Sequence, residues 1–243
     1  MIGAVTFDFW GTLYREGADR RRRMELREQY ALDFLAAQGR QVNASQLGYA
    51  FEVLFREMDH LWRIQHAGVK AEELGFRLAR AAGALLEPPA AVRLGELMSC
   101  VVREAPPTPA EGALDILRHL HGRVRLGLIC DTGITLGADL YAVMEADGVA
   151  QLLDHFTFSD QTGTTKPELR QFTHTLLRLN CPPEQAVHVG DTEQSDIAGA
   201  KAAGMRAIRI LHDGHDPTTA ADASARSLPG VLTTLRRWDE RLE

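Results

Sequence analysis

Cysteine is scarce in this chain, and its number is odd. The three cysteines, Cys100, Cys130 and Cys181, are scattered along 243 residues, so a disulfide framework is excluded and a reducing compartment is indicated. No run approaches the ~18 consecutive apolar residues that a membrane-spanning helix requires. The N-terminus also lacks a positively charged segment before its apolar stretch, as a secretory signal would have. We therefore expect a cytoplasmic protein.

An excess of basic residues is missing as well. The chain carries 27 Lys and Arg against 33 Asp and Glu, which gives a net charge of −6. General binders of nucleic acids or anionic membranes need a basic surface to displace counterions, so both classes are disfavoured. The apolar fraction of 45% and the charged fraction of 25% are average for globular proteins. The composition thus favours small-molecule partners and leaves the oligomeric state open.

Strand patterns are absent from about Gly17 to Glu104, where the sequence predicts several amphipathic helices. One helix is expected to begin at an N-cap, Asn43 or Ser45, and to continue through "QLGYAFEVLFREMDHLWRIQ" with apolar residues every three or four positions. This stripe is interpreted as core. Its end at Trp62 is the place where it could face a ligand.

After the proline-rich stretch "APPTPAEG", helix and strand patterns alternate. This alternation predicts a doubly wound α/β fold, in which parallel strands are joined by crossover helices and ligands bind at the carboxyl ends of the strands. The apolar run "AVTF" near the N-terminus is expected to join the same sheet. We therefore predict a Rossmann-like core domain of residues 1–14 and 106–243, with an all-helical cap domain of residues 15–105 inserted after the first strand.

Polar side chains follow several predicted strands at or just beyond their ends. The sequences are "TFDFWGTL", "GLICDTG", "TTKPELRQF" and "HVGDTEQSD", and they contain Asp8; Cys130, Asp131 and Thr132; Lys166; and Asp191 with Asp196. Taken singly, each has an ordinary structural interpretation as a turn residue, an N-cap or a solvated lysine on a loop that supports little core. Taken together, in this order, they are expected to converge on one crevice.

The chemistry of these residues indicates what such a crevice binds. Asp8 and Asp191, with no His or Cys pair nearby, form an oxygen-rich site that suits Mg²⁺, which completes its shell with water and substrate phosphate oxygens. Lys166 can pair with Asp8 and with a bound anion, while the Thr132 hydroxyl or loop N–H groups hold further anion oxygens. A carboxylate placed like Asp8 can attack phosphorus and form an aspartyl-phosphate.

These motifs resemble those of the haloacid dehalogenase-like hydrolase superfamily over nearly the whole chain. "DFWGTL" is similar to its first motif, Cys130 stands at the second, "KPELRQF" at the third and "GDTEQSD" at the fourth. The resemblance implies a helical cap between the first two motifs, Asp8 as nucleophile, and Mg²⁺ held by Asp8, the main-chain carbonyl of Trp10 and Asp191. It also implies catalytic roles for Lys166 and for Asp196, which would support Lys166 or a metal-bound water.

Two residues depart from the family pattern. Trp10 stands where the phosphatases of the family have a second Asp, the general acid that protonates the leaving group and then activates water. Because general acid–base catalysis contributes about 10²–10⁴-fold, esters with basic leaving groups should react slowly. Cys130 stands where Ser or Thr binds phosphate; a thiol is a weak donor, so Thr12, Thr132 or the Gly133 N–H is expected to substitute and Cys130 is interpreted mainly as packing.

Three functions are compatible with this pattern. The family's dehalogenases also lack the second Asp and carry a Tyr there, but they work without metal and replace the "GD" of the fourth motif with uncharged residues. Asp191 is kept here, which favours a Mg²⁺-dependent hydrolase of a small phosphorylated metabolite. A non-catalytic phosphate-binding protein is the third alternative, and the joint presence of Asp8, Lys166 and Asp191 speaks against it.

Two charged segments receive ordinary structural interpretations. In "DRRRRMELR", residues 19–27, Arg20 to Arg23 could contact an anionic substrate, but four consecutive arginines point all round a helix, so a solvated face is predicted. The segment "HDGHDPTTAADASARSLPG" contains the acids and histidines of a possible metal cluster, but its Gly, Pro and Asp content predicts a turn-rich surface loop. The residues concerned are His212, Asp213, His215 and Asp216.

Overall fold

The computed structural model describes residues 1–17, 19–214 and 216–243. Its strands are β1 (Ala4–Phe7), β2 (Tyr14–Arg15), β3 (Thr108–Pro109), β4 (Arg125–Cys130), β5 (His155–Phe158), β6 (Ala186–Gly190), β7 (Arg206–Ile210) and β8 (Ala223–Ala225). Six of them form one parallel sheet in the order β5-β4-β1-β6-β7-β8, whereas β2 and β3 pair with each other in antiparallel orientation. The predicted doubly wound α/β fold is confirmed.

Helices alternate with these strands and fill the segment between β2 and β3. They are α1 (Arg20–Ala37), α2 (Ala44–His60), α3 (Ala71–Ala81), α4 (Pro88–Cys100), α5 (Ala113–Leu120), α6 (Gly137–Ala146), α7 (Ser159–Thr162), α8 (Leu169–Leu179), α9 (Ala198–Ala202) and α10 (Leu228–Trp238). Two short π-helical turns, Leu61–Gln65 and Glu193–Ile197, continue α2 and precede α9. Among the described residues, no helix combines the length and apolarity needed to cross a membrane.

Strand β1 lies at the centre of the sheet and explains where Asp8 is placed. It pairs with β4 on one side and β6 on the other, and all four of its residues are buried. Val5 and Phe7 face the cluster packed by α5, α6 and α10, while Ala4 faces the cluster packed by α8 and α9. Both faces of the sheet are therefore covered, as parallel sheets require, and the chain leaves β1 at the edge where ligands bind.

Helices α1–α4, called the helical segment from here on, enclose a second hydrophobic cluster, to which Ile134 and Leu136 of the loop after β4 also belong. Asn43 is the N-cap of α2: its side chain accepts from the Gln46 N–H at 2.9 Å, and the Gln46 side chain accepts from the Asn43 N–H at 2.9 Å. This reciprocal capping confirms the predicted helix start. The pairing of β2 with β3 ties together the two connections of the helical segment to the sheet. The division into two domains at residues 14/15 and 105/106 stays a prediction.

The C-terminal region differs from the sequence-based expectation. The predicted surface loop contains β8, which adds to the edge of the sheet beside β7, and it is followed by α10, which packs on the core. The strand sequence Ala-Ser-Ala has no strong strand preference, so its pairing with β7 is imposed by tertiary contacts that no local pattern reveals. His215 of the same segment lies outside the described residues.

Candidate active site

Asp8, Lys166 and Asp196 form a buried ionic group at the carboxyl edge of the sheet. Asp8 directly follows β1, and its N–H donates to the Val189 carbonyl on β6 at 2.9 Å. Lys166 Nζ lies 2.5 Å from Asp8 Oδ1 and 2.6 Å from Asp196 Oδ1. The predicted pairing of Lys166 with Asp8 is present. The interpretation of Lys166 as a solvated loop lysine is wrong, because only 2% of its side chain is exposed.

A second layer of hydrogen bonds fixes Asp196. The Thr192 N–H donates to Asp196 Oδ2 at 3.0 Å, and His188 Nε2 lies 3.3 Å from Asp196 Oδ1. The other ring nitrogen of His188 lies 2.8 Å from the hydroxyl of Thr6. Burial lowers the pKa of His188, which fits a neutral ring that donates to Asp196 and accepts from Thr6. Sequence reasoning missed His188, although a polar residue within the buried strand "AVHVG" was a visible signal.

Asp191 lies beside this group, at the end of β6. One carboxylate oxygen from each of Asp8, Asp191 and Asp196 lies within 4.8 Å of the others. The Thr192 hydroxyl donates to Asp191 Oδ1 at 3.0 Å. Gly11 packs directly on the Asp191 carboxylate with a φ of +79°, and a Cβ at this position would overlap the carboxylate. The glycine of the first motif is therefore required both by its backbone conformation and by the position of Asp191.

Negative charge exceeds positive charge in this cluster of acids around Lys166. Burial raises the pKa of Asp8 well above its usual value; Lys166 opposes this, while Asp196 and Asp191 add to it. Burial likewise raises the pKa of Asp191, with repulsion from Asp196 adding to it. For Asp196 burial acts in the same direction, but Lys166 and His188 outweigh it and hold its pKa below the usual value. Three carboxylates thus share one ammonium group, and their all-oxygen donor set fits a hard divalent cation.

Asp131 connects the helical segment to Lys166. It directly follows β4; its Oδ1 accepts from the Lys166 backbone N–H at 3.0 Å, and its Oδ2 accepts from Trp62 Nε1 at 3.0 Å. Burial raises the pKa of Asp131, although the Lys166 ammonium group opposes the shift. Trp62 is the residue at which the predicted α2 stripe could face a ligand, and its indole contacts the site. Asp131 therefore fixes the main chain of Lys166 through a hydrogen bond.

Thr132 and Gly133 line the same cavity as Asp8, whereas Cys130 and Thr12 are absent from its wall. The Thr132 N–H donates to Ser159 Oγ at 2.9 Å, and the two hydroxyls lie 3.0 Å apart. The sequence analysis did not identify Ser159, although this polar residue directly follows β5, as the other candidate residues follow their strands. Cys130 and Thr12 are each only 1% exposed. Packing accounts for the place of Cys130 in the core, as expected, and a contact of Thr12 with phosphate stays a prediction.

Trp10 lines the cavity directly beyond Asp8. Its ring packs edge-on against Phe9 with the centroids 4.8 Å apart, and Phe9 in turn stacks on Tyr14 at 4.4 Å. Trp10 is half-buried, so one part of the indole is held by the core and another part faces the cavity. The wall therefore presents an aromatic surface, without a titratable group, at this position.

The cavity has a volume of about 700 Å³ and lies between the sheet edge and the helical segment. The helices contribute Arg20, Arg23, Met24, Arg27, Phe55, Met58, Asp59 and Trp62 to its wall. The expected solvated face of the arginine run holds for Arg21 and Arg22, which are exposed. It is wrong for Arg23, which is 3% exposed, because this side chain turns inward to hydrogen-bond the Ala105 carbonyl at 2.7 Å.

The predicted C-terminal loop reaches the site through His212. His212 Nε2 donates to the Gly11 carbonyl at 2.7 Å and lies 3.6 Å from Asp191 Oδ2. Asp213 and Asp216 are exposed. Across residues 1–17, 19–214 and 216–243, the cluster able to hold a metal comprises Asp8, Asp191 and Asp196 and excludes this loop.

Comparison with known proteins agrees with this geometry. Residues 2–204 match a model of the haloacid dehalogenase-like hydrolase family. A glyceraldehyde 3-phosphate phosphatase of Methanothermobacter thermautotrophicus is 34% identical over 125 residues, which cover 51% of this chain and 54% of that protein. The chain therefore spans only about half the length of this curated relative.

Two solved structures match along almost their full length. A 2-haloacid dehalogenase from Pseudomonas syringae pv. tomato superposes with a TM-score of 0.68 at 26% identity, covering 98% of this chain and 100% of that one. A HAD phosphatase from Thermococcus onnurineus superposes with a TM-score of 0.67 at 22% identity, covering 96% and 98%. With the family model matched over most of its length, this chain belongs to the haloacid dehalogenase-like hydrolases.

Proposed function

We propose that this hydrolase is a Mg²⁺-dependent phosphatase of small phosphorylated metabolites that works without the second Asp of the first motif. The observation that carries the proposal is the buried contact of Lys166 with both Asp8 and Asp196, beside the carboxylate of Asp191. A site with three acids and one ammonium group would repel an anionic substrate. A bound divalent cation would neutralise this excess of negative charge.

Asp8 and Asp191 are proposed to hold Mg²⁺, together with the main-chain carbonyl of Trp10. When bound, the ion supplies charge neutralisation for the phosphoryl group and for the acids around it. Asp196 has a different proposed role, since its oxygens already accept from Lys166 and the Thr192 N–H. It positions Lys166, and His188 positions Asp196.

The proposed reaction proceeds through an aspartyl-phosphate. An oxygen of Asp8 attacks phosphorus, the bond from phosphorus to the ester oxygen breaks, and the electron pair departs on that oxygen as an alkoxide or aryloxide, which takes its proton from water. Water then attacks the same phosphorus, which releases phosphate and restores the Asp8 carboxylate. Lys166 balances charge at Asp8 during both steps, while Thr132 and Gly133 are proposed to hold phosphate oxygens at the cavity wall.

Trp10 determines which esters react well. The indole offers no carboxyl proton to the leaving oxygen and no carboxylate to activate water. Esters whose leaving oxygen is weakly basic depend least on a general acid, so aryl and acyl phosphates should react faster than alkyl phosphates. Water attack on the aspartyl-phosphate likewise lacks a carboxylate at this position to act as general base, so the intermediate at Asp8 should accumulate.

Two observations support a small substrate. The cavity of about 700 Å³ is of metabolite size, and the helical segment, which we propose acts as a cap domain, covers it opposite the sheet edge. A relative of this chain is named as a phosphatase of glyceraldehyde 3-phosphate. The proposed substrate class is therefore an anionic phosphate ester of a small organic molecule.

Dehalogenation of 2-haloacids is the second candidate. The aromatic ring of Trp10 at the motif position and the full-length similarity to a 2-haloacid dehalogenase favour it. The Asp191 carboxylate argues against it, because a second acid near Asp8 without a cation would repel a haloacid anion. A phosphate-binding protein without turnover would keep the same pocket.

One substrate panel tests these functions. The wild type is assayed with p-nitrophenyl phosphate, glycerol 3-phosphate and 2-chloropropionate, each with Mg²⁺ and with EDTA. We expect Mg²⁺-dependent hydrolysis of both esters, with the aryl ester faster by on the order of 10²–10⁴-fold. Asp8→Asn should lower kcat/KM by about 10³-fold or more, because it removes the nucleophile.

Asp115→Asn is the matched control, since Asp115 is an exposed acid on α5 and its replacement should leave turnover unchanged. Chloride release that persists in EDTA would establish the dehalogenase instead. Binding of both esters without turnover of either would establish the non-catalytic protein. Undiminished ester hydrolysis by Asp8→Asn would contradict the proposed chemistry.

A further inference from the structure

Helix α1 brings arginines into the cavity opposite Asp8. Arg20, Arg23 and Arg27 occur at steps of three and four residues, so one face of the helix lines the wall. Burying a guanidinium group is costly unless hydrogen bonds and an opposite charge compensate for lost water. The partners of the two buried arginines, Arg23 and Arg27, differ in this respect.

The cost of burying the Arg23 guanidinium is offset by an ion pair and by hydrogen bonds. Its guanidinium forms an ion pair with the Glu16 carboxylate and donates to the Glu16 carbonyl at 3.1 Å and to the Ala105 carbonyl at 2.7 Å. These contacts join α1 to both connections of the helical segment. A structural role accounts for Arg23.

Arg27 has only neutral partners within the described part of the chain. Nε donates to the Met98 carbonyl at 3.0 Å, Nη2 donates to Thr135 Oγ1 at 2.8 Å, and Nη1 lies 3.8 Å from Met24 Sδ. The residue is only 8% exposed. Burial lowers the pKa of Arg27 to about 10, with the neighbouring Arg23 adding to the effect and Glu16 opposing it. A buried cation is thus held by the protein in a fixed place without a contacting carboxylate.

The same side chain lines the cavity that contains Asp8 and Lys166. A guanidinium group has five N–H donors, and the three contacts above engage three of them. The fork geometry of Arg matches the paired oxygens of a carboxylate or a phosphate. The site thus has an acidic, cation-binding end and a positively charged end.

We propose that Arg27 binds a second anionic group of the substrate, a carboxylate or a phosphate, while the phosphoryl group to be removed lies at Asp8. This inference rests on the proposed phosphatase function and narrows its substrate class to metabolites that carry two anionic groups. A buried, preoriented Arg that recognises a second negative charge also disfavours binding of phosphate esters of the same size whose alcohol part is uncharged.

The alternative is that Arg27 only ties α1 to α4 and to the loop after β4. A structural tie predicts equal effects of its removal on all substrates, because it would act through the shape of the whole cavity. An anion-binding role predicts effects that depend on the second charge. Matched substrate pairs separate the two.

The first pair is 3-phosphoglycerate and glycerol 3-phosphate, which differ by a carboxylate in place of a hydroxymethyl group. The second pair is fructose 1,6-bisphosphate and fructose 6-phosphate, which differ by a phosphate. The quantity measured is the ratio of kcat/KM within each pair. We expect the wild type to favour the two-anion member by about 10-fold or more in at least one pair, since hydrogen bonds to charged groups are strong. The pair that shows the preference identifies the second group.

Arg27→Gln, which keeps hydrogen-bonding capacity and removes the charge, should bring that ratio close to one, and Arg27→Lys should restore part of it. Arg21→Gln is the matched control; Arg21 is 91% exposed on the same helix, and its replacement should keep the wild-type ratio. Equal losses for both members of a pair would overturn the proposal and support the structural tie. A wild type without preference in either pair would overturn it as well.

Calorimetry on Asp8→Asn separates this inference from the proposed function. With turnover blocked, the Kd values of 3-phosphoglycerate and glycerol 3-phosphate, and of the two fructose phosphates, are measured with and without the additional Arg27→Gln change. Tighter binding of a two-anion member that depends on Arg27, together with a wild type that hydrolyses no ester, would support the anion site and refute the phosphatase. Hydrolysis without any preference would refute the anion site and leave the phosphatase standing.

Discussion

The two walls of the cavity are opposite in charge and differ in how the fold builds them. The core wall comprises Asp8, Asp131, Lys166, Asp191 and Asp196, and the helical wall comprises Arg20, Arg23, Arg27, Asp59 and Trp62. Each Asp of the core wall sits on a connection that leaves a strand of the parallel sheet, so the topology itself collects them. The helical wall depends on which face of each helix turns inward, and that is decided by packing.

This difference separates chemistry from recognition. The core wall joins its charges directly, with Lys166 Nζ within 2.6 Å of two carboxylates. In the proposed function this wall carries out the chemistry on the phosphoryl group at Asp8. The helical wall contributes a buried cation, Arg27, whose contacts within the described residues are neutral. Selection among substrates is thus expected to depend on the helical wall. Three measurements test, in turn, the stability of the core wall, the junction between the walls and a titratable group outside both.

The largest effect is expected from breaking the core wall at Lys166. Lys166→Met leaves the buried carboxylates of Asp8 and Asp196 without their common partner, and breaking a buried ion pair typically costs about 3–5 kcal/mol of the free energy of unfolding. Without Lys166, burial and mutual repulsion should raise the pKa values of both carboxylates above those in the wild type, so the loss should grow as pH rises and the acids ionise. Urea unfolding in EDTA between pH 5 and pH 8 measures it.

Lys201→Met is the control for that experiment. Lys201 Nζ lies 2.7 Å from Asp222 Oδ1, but 37% of the lysine side chain is exposed. A surface pair of this kind contributes about 0–1 kcal/mol. Similar losses in the two variants would show that Lys166 is as well solvated as a surface lysine and would contradict the buried arrangement.

The core wall was predictable because its residues follow a rule of topology. Alternating helix and strand patterns predict a parallel sheet, and its carboxyl edge then brings together residues far apart in sequence, such as Asp8, Lys166 and Asp191. The same rule would have found Ser159 at the end of β5. His188 required a further step, since a polar residue inside a buried strand must find a partner within the protein.

Trp62 of the helical wall was predicted, but its buried arginines were not, and the reason lies in α1. Four consecutive arginines suggest a solvated helix because they point in all directions, yet Arg23, Arg27, Ala31 and Leu35 form one ridge at four-residue spacing and are buried together. Extending the apolar ridge of Ala31 and Leu35 towards the N-terminus in four-residue steps would have predicted that both arginines are buried. The carboxylate partner of Arg23, Glu16, is near in sequence. Arg27 hydrogen-bonds Met98 and Thr135, which are distant in sequence, so no local pattern shows that its partners are neutral.

A medium effect is expected at the junction of the two walls. Residues 66–68 pair with residues 163–165: the Gly68 N–H donates to the Gly163 carbonyl at 3.1 Å, and the Thr165 N–H donates to the His66 carbonyl at 2.9 Å. A Cβ at Gly68 would overlap the backbone carbonyl of Ser159. Gly68→Ala should therefore destabilise the fold by about 1–3 kcal/mol, because rigid backbone must move. It should also lower kcat/KM by about 10- to 10²-fold, since the shifted loop leads into Lys166.

Gly48→Ala provides the opposite case. Gly48 lies inside α2, and a Cβ there has open space among the described residues. Replacement should raise the free energy of unfolding by about 0.5–1 kcal/mol through helix propensity, with turnover unchanged. Urea unfolding and aryl phosphate kinetics on both variants check the pair. A Gly68→Ala protein with wild-type stability and rate would contradict the close backbone contact between Gly68 and Ser159.

The smallest expected effect concerns His155, a titratable group of the sheet that belongs to neither wall. Burial lowers the pKa of His155 from 6.5 to about 4, and the neighbouring His174 and Arg178 add to the shift. Between these values the unfolded chain binds a proton that the folded chain does not, so this residue makes stability fall as pH falls from about 6.5 towards 4. Because the side chain is partly solvated, we expect a contribution of about 1 kcal/mol or less. The raised pKa values of Asp8, Asp131 and Asp191 act in the opposite direction and favour the folded state at low pH, whereas the lowered pKa of Asp196 acts in the same direction as that of His155. Comparing wild type with His155→Leu cancels the contribution of those acids and isolates that of the histidine.

Arg178→Gln removes one positive neighbour and should bring the pKa of His155 closer to its usual value, which NMR titration of the ring measures directly. Identical pH profiles for wild type and His155→Leu, or an unchanged ring titration in Arg178→Gln, would contradict this account.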